Sequence, residues 1–144
     1  MTTEPVYLFL DFDGVLHPFG HPLGFFSHMP IFEAAIRHLN VYIVISSAWR
    51  LHHTMAVLKK LFSNDIAQKI VGITPDLDNR KNEYVRELEI QRWLIKNKIP
   101  AAKWIALDDS PQLFSPNCPN LIVTDAHLAF NEDIRKQLLS RLSQ

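Results

Sequence analysis

Two carboxylates, one residue apart, follow a run of apolar residues near the start of the sequence. Val6-Tyr7-Leu8-Phe9-Leu10 is long enough for a buried strand, and Asp11-Phe12-Asp13-Gly14 comes directly after it. Side chains alternate along a strand, so Asp11 and Asp13 point the same way if the strand geometry continues. Ionised carboxylates in such a place repel each other and lose hydration, which a solvated turn or a divalent cation relieves. The hard ion Mg²⁺ prefers carboxylate oxygen.

Two further apolar runs end in polar residues. Asp108-Asp109 closes the run Trp104–Leu107, and Ser46-Ser47 closes the run Val41–Ile45. In an open parallel sheet the active site lies beyond the carboxyl ends of the strands. We therefore expect the three strand ends to meet in one crevice, where they bind a metal ion or a phosphate.

The order of these motifs resembles that of the haloacid dehalogenase-like (HAD) superfamily. In that pattern an Asp-x-Asp motif follows the first strand, a serine follows the second, a basic residue opens a helix, and an acidic pair follows a later strand. A narrower resemblance is to the HAD domain of the Swiss Army Knife RNA repair proteins, and it covers nearly the whole chain. It rests on the segments Leu8–Pro18, Ser46–Arg50, Gly72–Pro75, Arg86 with Glu89-Ile90 and Trp93-Leu94, and Leu107–Asp109.

The resemblance implies a role for each acidic residue. Asp11 would attack phosphorus and form an aspartyl-phosphate, and Asp13 would act as general acid and then as general base. Ser46 would donate its hydroxyl to a phosphoryl oxygen, with capping of the following helix as its alternative, and both roles are filled if Ser46 binds phosphate and Ser47 caps. Mg²⁺ would be held by Asp11, the backbone carbonyl of Asp13, and Asp108, with Asp109 as a direct or water-mediated helper.

Arg80, Lys81 and Arg86 are all near enough in sequence to supply the basic motif. Arg86 matches the Arg-x-x-Glu-Ile spacing of the narrower family and is preferred, with Lys81 second, and the other of the two would be an exposed helix charge. Arg50 either forks onto the phosphate or forms a surface salt bridge.

Three further residues are candidates for contact with the substrate. Gly14 is predicted to contact substrate, and so is Ser47, which has the alternative of capping the following helix. Among the histidines, His17 is the best candidate for substrate contact because it lies just past the acidic motif.

Length and composition favour one globular domain spanning residues 1–144. The chain is 47% hydrophobic with zero formal charge, so no global field draws it to nucleic acid or membrane. A single cysteine, Cys118, excludes an internal disulfide and suits a reducing compartment. The first apolar run is interrupted by Asp11 and falls far short of the roughly 20 residues that span a bilayer. We expect a soluble, cytoplasmic protein that does not associate with membranes.

Strands alternating with helices predict an α/β fold: a Rossmann-like, three-layer α/β/α domain with a mainly parallel sheet. Glycine and proline punctuate residues 14–30, where the resemblance implies a short helical turn and a hairpin flap. The spacing of the motifs leaves no room for a cap domain. The patterns predict strands over 6–10, 41–45, 70–74, 104–107 and 121–124, and helices over 31–39, 49–62, 82–98 and 131–142.

The function that this pattern favours is a Mg²⁺-dependent phosphatase. The open site suits a large substrate, and the RNA-repair resemblance favours the phosphate end of a polynucleotide. A phosphatase of phosphoproteins or small metabolites is one alternative, and a non-catalytic HAD-fold binding module is another. The oligomeric state is left open.

Overall fold

Five parallel strands form one sheet at the centre of the molecule. The computed structural model describes residues 4–144, and the strand order is β3-β2-β1-β4-β5. The strands are β1 (Val6–Leu10), β2 (Val41–Ile45), β3 (Ile70–Ile73), β4 (Trp104–Asp108) and β5 (Leu121–Val123). The helices are α1 (Met29–Ile36), α2 (Met55–Lys59), α3 (Asn64–Ala67), α4 (Val85–Lys96) and α5 (Glu132–Leu142).

Helices cover both faces of this sheet. Leu8 and Leu10 of β1 face one side, where α1, α2, α3 and α5 supply buried apolar side chains. Phe9, between them in sequence, faces the other side and packs with Trp93 and Ile90 of α4. Because strand side chains alternate, a continuous apolar strand fills two cores at once. The predicted three-layer α/β/α architecture with a parallel sheet is confirmed.

The register of the strands places the ends of β1, β2 and β4 side by side. Leu10 pairs with Ile45 on one side and with Leu107 on the other. The pairing continues one residue further, since Ser46 N–H donates to the Leu10 carbonyl at 3.0 Å and Asp11 N–H donates to the Leu107 carbonyl at 3.1 Å. The residues that follow each strand are therefore brought to one edge of the sheet.

The single helix predicted over residues 49–62 is wrong. The structure has a 3₁₀ turn at Ala48–Leu51, the short helix α2, and then α3, which the sequence pattern did not reveal. Thr54 ends the first turn and starts α2, because its hydroxyl accepts a hydrogen bond from Val57 N–H at 3.2 Å. Threonine and serine offer the backbone this alternative to a continuous helix. Leu51 is 47% exposed, so the apolar spacing overstated how much of this segment is buried.

Residues 14–28 are a succession of turns rather than the implied hairpin. An isolated bridge joins Asp13 to His17, and within the described chain no strand pair forms in this segment. Between Asp13 and Ser46 the chain otherwise forms only α1 and β2.

No helix within residues 4–144 combines the length and the apolar character needed to cross a lipid bilayer.

Candidate active site

Three carboxylates meet at the carboxyl edge of the sheet. Asp11 follows β1, Asp108 is the last residue of β4, and Asp109 comes next. One carboxylate oxygen from each lies within 4.8 Å of the others. Asp108 is fully buried, Asp11 is 6% exposed, and Asp109 is half-buried. The two acidic strand ends that the sequence predicted to converge do so.

Burial and mutual repulsion act strongly on this cluster. Loss of hydration raises the pKa of Asp11 well above its ordinary value, and the neighbouring charge of Asp108 raises that pKa further. Burial likewise raises the pKa of Asp108, although Arg86 opposes the shift. When all three carboxylates are ionised, as a bound cation favours, they and the guanidinium carry −3 and +1, which leaves a net charge of −2. A divalent cation matches that remaining charge and suits the oxygen donors.

Arg86 is the basic residue that reaches the carboxylates. It lies in the first turn of α4, with its Nη1 2.9 Å from Asp108 Oδ2 and 3.5 Å from Asp11 Oδ1. Its Nε is buried and has no hydrogen-bond partner among the described residues. Lys81, the other candidate, is exposed in the preceding turn. Helix α4 begins at Val85, later than predicted, because Tyr84 adopts a left-handed conformation with φ 51° that sets the start of the helix.

The two serines after β2 have different surroundings. The Ser46 hydroxyl is buried and has no partner within residues 4–144, which is costly unless a ligand supplies one. Ser47 caps the 3₁₀ turn, since its hydroxyl accepts a hydrogen bond from Trp49 N–H at 3.2 Å. Capping is the alternative that the sequence analysis gave for Ser47, and no feature of the geometry supports its predicted substrate contact.

Asp13 lies outside the carboxylate cluster and is held by two ring N–H groups. His17 Nε2 is 2.7 Å from Asp13 Oδ1, and Trp49 Nε1 donates to Asp13 Oδ2 at 3.1 Å. His17 Nδ1 accepts a hydrogen bond from Phe26 N–H at 3.1 Å, so the ring proton resides on Nε2 and is donated to Asp13. The Asp13 side chain is 58% exposed, which leaves it accessible from the crevice.

Gly14 provides space for the carboxylate cluster. Its φ is +77°, and a Cβ at this position would overlap the carboxylate of Asp109. Both backbone groups of Gly14 have partners, because its N–H donates to the His17 carbonyl at 2.9 Å and its carbonyl accepts from the Thr124 hydroxyl at 2.8 Å. The geometry explains the glycine by this close approach, and it gives no support to the predicted substrate contact.

Arg50 is engaged within the protein and forms a buried salt bridge in place of the predicted surface one. Its Nη2 lies 3.1 Å from Glu89 Oε2, and both side chains are buried. Its other donors bind the carbonyls of Ser46, Ser47, Thr74 and Pro75 at 3.0–3.1 Å. Arg50 thus joins the loop after β2 to the loop after β3 and to α4, and the geometry does not support its predicted phosphate contact.

Sequence reasoning missed the roles of three residues around the site. His17 orients Asp13 where a substrate contact was predicted, and Trp49, for which no role was predicted, donates to the same carboxylate. Glu89 accepts from Leu77 N–H at 2.9 Å as well as pairing with Arg50. The Arg-x-x-Glu spacing was the one available signal for Glu89. No pattern in the sequence distinguishes the ring partners of Asp13, because they depend on the turns that follow it.

Comparison with known families agrees with this geometry. A model of the HAD domain in Swiss Army Knife RNA repair proteins matches residues 7–134, so the chain belongs to that HAD family. The match supports a hydrolase of the general phosphatase type. No curated protein matches the chain.

Proposed function

We propose that this HAD-family chain is a Mg²⁺-dependent phosphatase in which Asp11 is the nucleophile. The observation that carries the proposal is the buried cluster of Asp11, Asp108 and Asp109, whose charge Arg86 offsets only in part. The buried, unpartnered hydroxyl of Ser46 at the neighbouring strand end supports it, because a phosphoryl oxygen is a suitable acceptor for it.

The donor set fits a magnesium ion. The side chains of Asp11, Asp108 and Asp109, together with the backbone carbonyl of Asp13, would hold it, and Mg²⁺ accepts water for its other positions. When bound, the ion supplies positive charge that offsets the carboxylates and the phosphoryl oxygens.

The residues then divide the reaction into two displacements. A carboxylate oxygen of Asp11 attacks phosphorus, and the bond to the leaving oxygen breaks as that oxygen takes a proton from Asp13. Asp13 next accepts a proton from water as the water attacks the aspartyl-phosphate, which releases phosphate and regenerates Asp11. Arg86 and Ser46 hold phosphoryl oxygens, and His17 and Trp49 orient Asp13 by donating hydrogen bonds to it.

The phosphate end of a polynucleotide is the substrate that we propose. The RNA repair context of the matched family supports it, and within residues 4–144 no inserted domain covers the crevice, which leaves room for a chain end. A phosphatase of phosphoproteins or small metabolites is the alternative within the same chemistry. A non-catalytic binding module has less support, since such a role gives no reason to bury Asp11 and Asp108 together beside a third carboxylate.

A substrate screen with Mg²⁺ tests the proposal. It includes 3′- and 5′-phosphorylated oligonucleotides, phosphopeptides, phosphorylated metabolites and an aryl phosphate. Asp11→Asn is the inactive variant, and Asp133→Asn, an exposed change on α5, is the matched control. We expect hydrolysis by the wild type and the control, with oligonucleotides preferred, and none by Asp11→Asn. Equal activity in Asp11→Asn contradicts the assignment of the nucleophile.

A further inference from the structure

Aromatic rings surround the carboxylate of Asp13. Trp49, which donates to Asp13, carries the His53 ring stacked beside it, with centroids 5.5 Å apart and planes at 29°. Phe25 meets Trp49 edge-on, with centroids 5.6 Å apart and planes at 79°. We call Phe25, Trp49 and His53 the aromatic surface.

The aromatic surface is open to solvent. Phe25 is 55% exposed, and His53 is exposed as well. The turn that presents Phe25 is held in an unusual backbone conformation, because Gly24 and Phe26 on either side of it have φ of 93° and 60°. A left-handed phenylalanine is uncommon and costs free energy, and such conformations concentrate at functional sites. Phe25 also packs against His21, with centroids 4.0 Å apart, and its exposed part is accessible to a planar ligand.

A shallow depression lies beside Asp13 and the Trp49 and His53 part of the aromatic surface. Its volume is about 290 Å³, and it is lined by Asp13, Ala48, Trp49, His52 and His53. Small-molecule sites begin at roughly 300 Å³, so the depression suits one planar ring system and not a large ligand.

We propose that the aromatic surface binds the nucleobase of the nucleotide whose phosphate reacts at Asp11. The inference rests on the proposed function, in which Asp13 protonates the leaving oxygen. The leaving group, which is the nucleoside, must then lie on the Asp13 side of the phosphorus. The base that its sugar carries then reaches the depression. Bases stack on aromatic side chains whatever their sequence, so this surface gives affinity for nucleotides without selecting a base.

The test compares two double variants that remove the same residue types. Phe25→Ala/His53→Ala removes the two exposed members of the aromatic surface and keeps Trp49, which orients Asp13. Phe19→Ala/His38→Ala is the control: Phe19 is 69% exposed with its ring against His127, and His38 is exposed beyond α1, just before β2 begins. The specificity constant is measured with Mg²⁺ for nucleoside 3′- and 5′-monophosphates, for ribose 5-phosphate and for a phosphotyrosine peptide.

The inference concerns the base, which nucleoside monophosphates carry and ribose 5-phosphate lacks. Stacking contributes enough per base that its loss lowers the specificity constant for the better nucleotide about tenfold. We expect that loss in Phe25→Ala/His53→Ala, with the value for ribose 5-phosphate unchanged and the control like the wild type. An unchanged value for nucleotides, or an equal loss for ribose 5-phosphate, overturns the inference. A larger loss for the phosphotyrosine peptide than for nucleotides assigns the surface to a tyrosine ring and also overturns it.

A binding measurement separates this inference from the proposed chemistry. Asp11→Asn, alone and combined with each double variant, is titrated with nucleoside monophosphates and ribose 5-phosphate while tryptophan fluorescence is followed. Tighter binding of the nucleotide that depends on Phe25 and His53 supports the inference even if the wild type hydrolyses nothing. Equal affinity for nucleotide and ribose 5-phosphate overturns it even if the wild type is an active phosphatase.

Discussion

The two aspartates of the Asp-x-Asp motif occupy different environments although only Phe12 separates them. Asp11 is buried among carboxylates, whereas Asp13 is exposed and accepts hydrogen bonds from His17 and Trp49. The sequence predicted that Asp11 and Asp13 would face the same crevice. The alternation of side chains along β1 extends to Asp11, the first residue after the strand, but not to Asp13, which lies outside the carboxylate cluster. The sequence could not predict the ring partners of Asp13, because they come from a turn and from the loop after β2.

The role of Asp13 predicts a dependence on the leaving group. Asp13→Asn removes a general acid, which contributes about 10²–10⁴-fold to the rate when the leaving oxygen is a poor leaving group. We expect a loss in that range for alkyl phosphates and a smaller loss for aryl phosphates in steady-state kinetics with Mg²⁺. An equal loss for both classes assigns Asp13 another dominant role, such as maintaining the metal site.

Burial of Asp11 predicts that the metal-free active site destabilises the protein at neutral pH. The pKa of Asp11 in the folded chain is raised above the ordinary value of 3.8. At a pH below 3.8 its carboxyl is therefore protonated in the folded and in the unfolded chain. As the pH rises towards neutrality the unfolded chain releases a proton that the folded chain retains, and the free energy of unfolding falls. Asn cannot ionise and can still accept the Phe12 N–H bond that Asp11 Oδ1 accepts at 2.9 Å.

Thermal unfolding in a chelator, from about pH 4 to pH 8, measures this effect. We expect the Tm of Asp11→Asn to exceed that of the wild type by an amount that grows with pH. Adding Mg²⁺ raises the Tm of the wild type more than that of the variant, since binding to the folded state stabilises it. A variant that is less stable than the wild type in chelator at neutral pH contradicts this account of the cluster.

At the scale of elements, the loops after the strands hold the site together. The buried pair Arg50–Glu89 connects the 3₁₀ turn after β2 to α4, the helix that carries Arg86. Because Arg50 also binds four backbone carbonyls, including that of Ser46, the pair links α4 to the segment that contains Ser46.

Glu89→Gln tests that connection. The amide still accepts from Leu77 N–H but leaves the buried Arg50 charge without its anionic partner, so we expect a loss of about 3 kcal/mol in the free energy of unfolding. We also expect a lower specificity constant for phosphate esters, because Arg86 loses its fixed position. Glu83→Gln, an exposed change just before α4, is the matched control in denaturant unfolding. Equal stability of the two variants rules out a structural role for the pair.

Elements with continuous apolar runs were predictable, and elements set by caps were not. All five strands follow from apolar runs, which in β1, β2, β4 and β5 fill both cores, and α4 and α5 follow from amphipathic spacing. The helix predicted over 49–62 failed because Thr54 competes for backbone N–H groups that a continuous helix would use. The site residues at strand ends could be predicted since parallel strands end at one edge, whereas the partners of Arg50 depend on two loops and on α4 at once.

At the scale of the whole molecule, a site that no inserted domain covers within the described residues and zero net charge together set the expected response to salt. An oligonucleotide gains affinity by releasing counterions from phosphates that flank the reacting one, and a mononucleotide has none. We expect the specificity constant of a phosphorylated oligonucleotide to fall more steeply with salt than that of its mononucleotide, with a slope that reflects only a few contacts. An oligonucleotide that is no better at low salt contradicts the polynucleotide substrate and favours metabolites or phosphoproteins.

The measurement that tests the central claim most directly is the detection of phosphate on Asp11. Asp13→Asn slows the attack of water on the intermediate, so an aryl phosphate and Mg²⁺ should lead to its accumulation before an acid quench. Mass spectrometry of the digested protein is expected to find a phosphoryl group on Asp11 of this variant, and none on the double variant Asp11→Asn/Asp13→Asn. A phosphoryl group on another residue would contradict the account. So would rapid hydrolysis by Asp11→Asn combined with no modified peptide in Asp13→Asn or in the double variant.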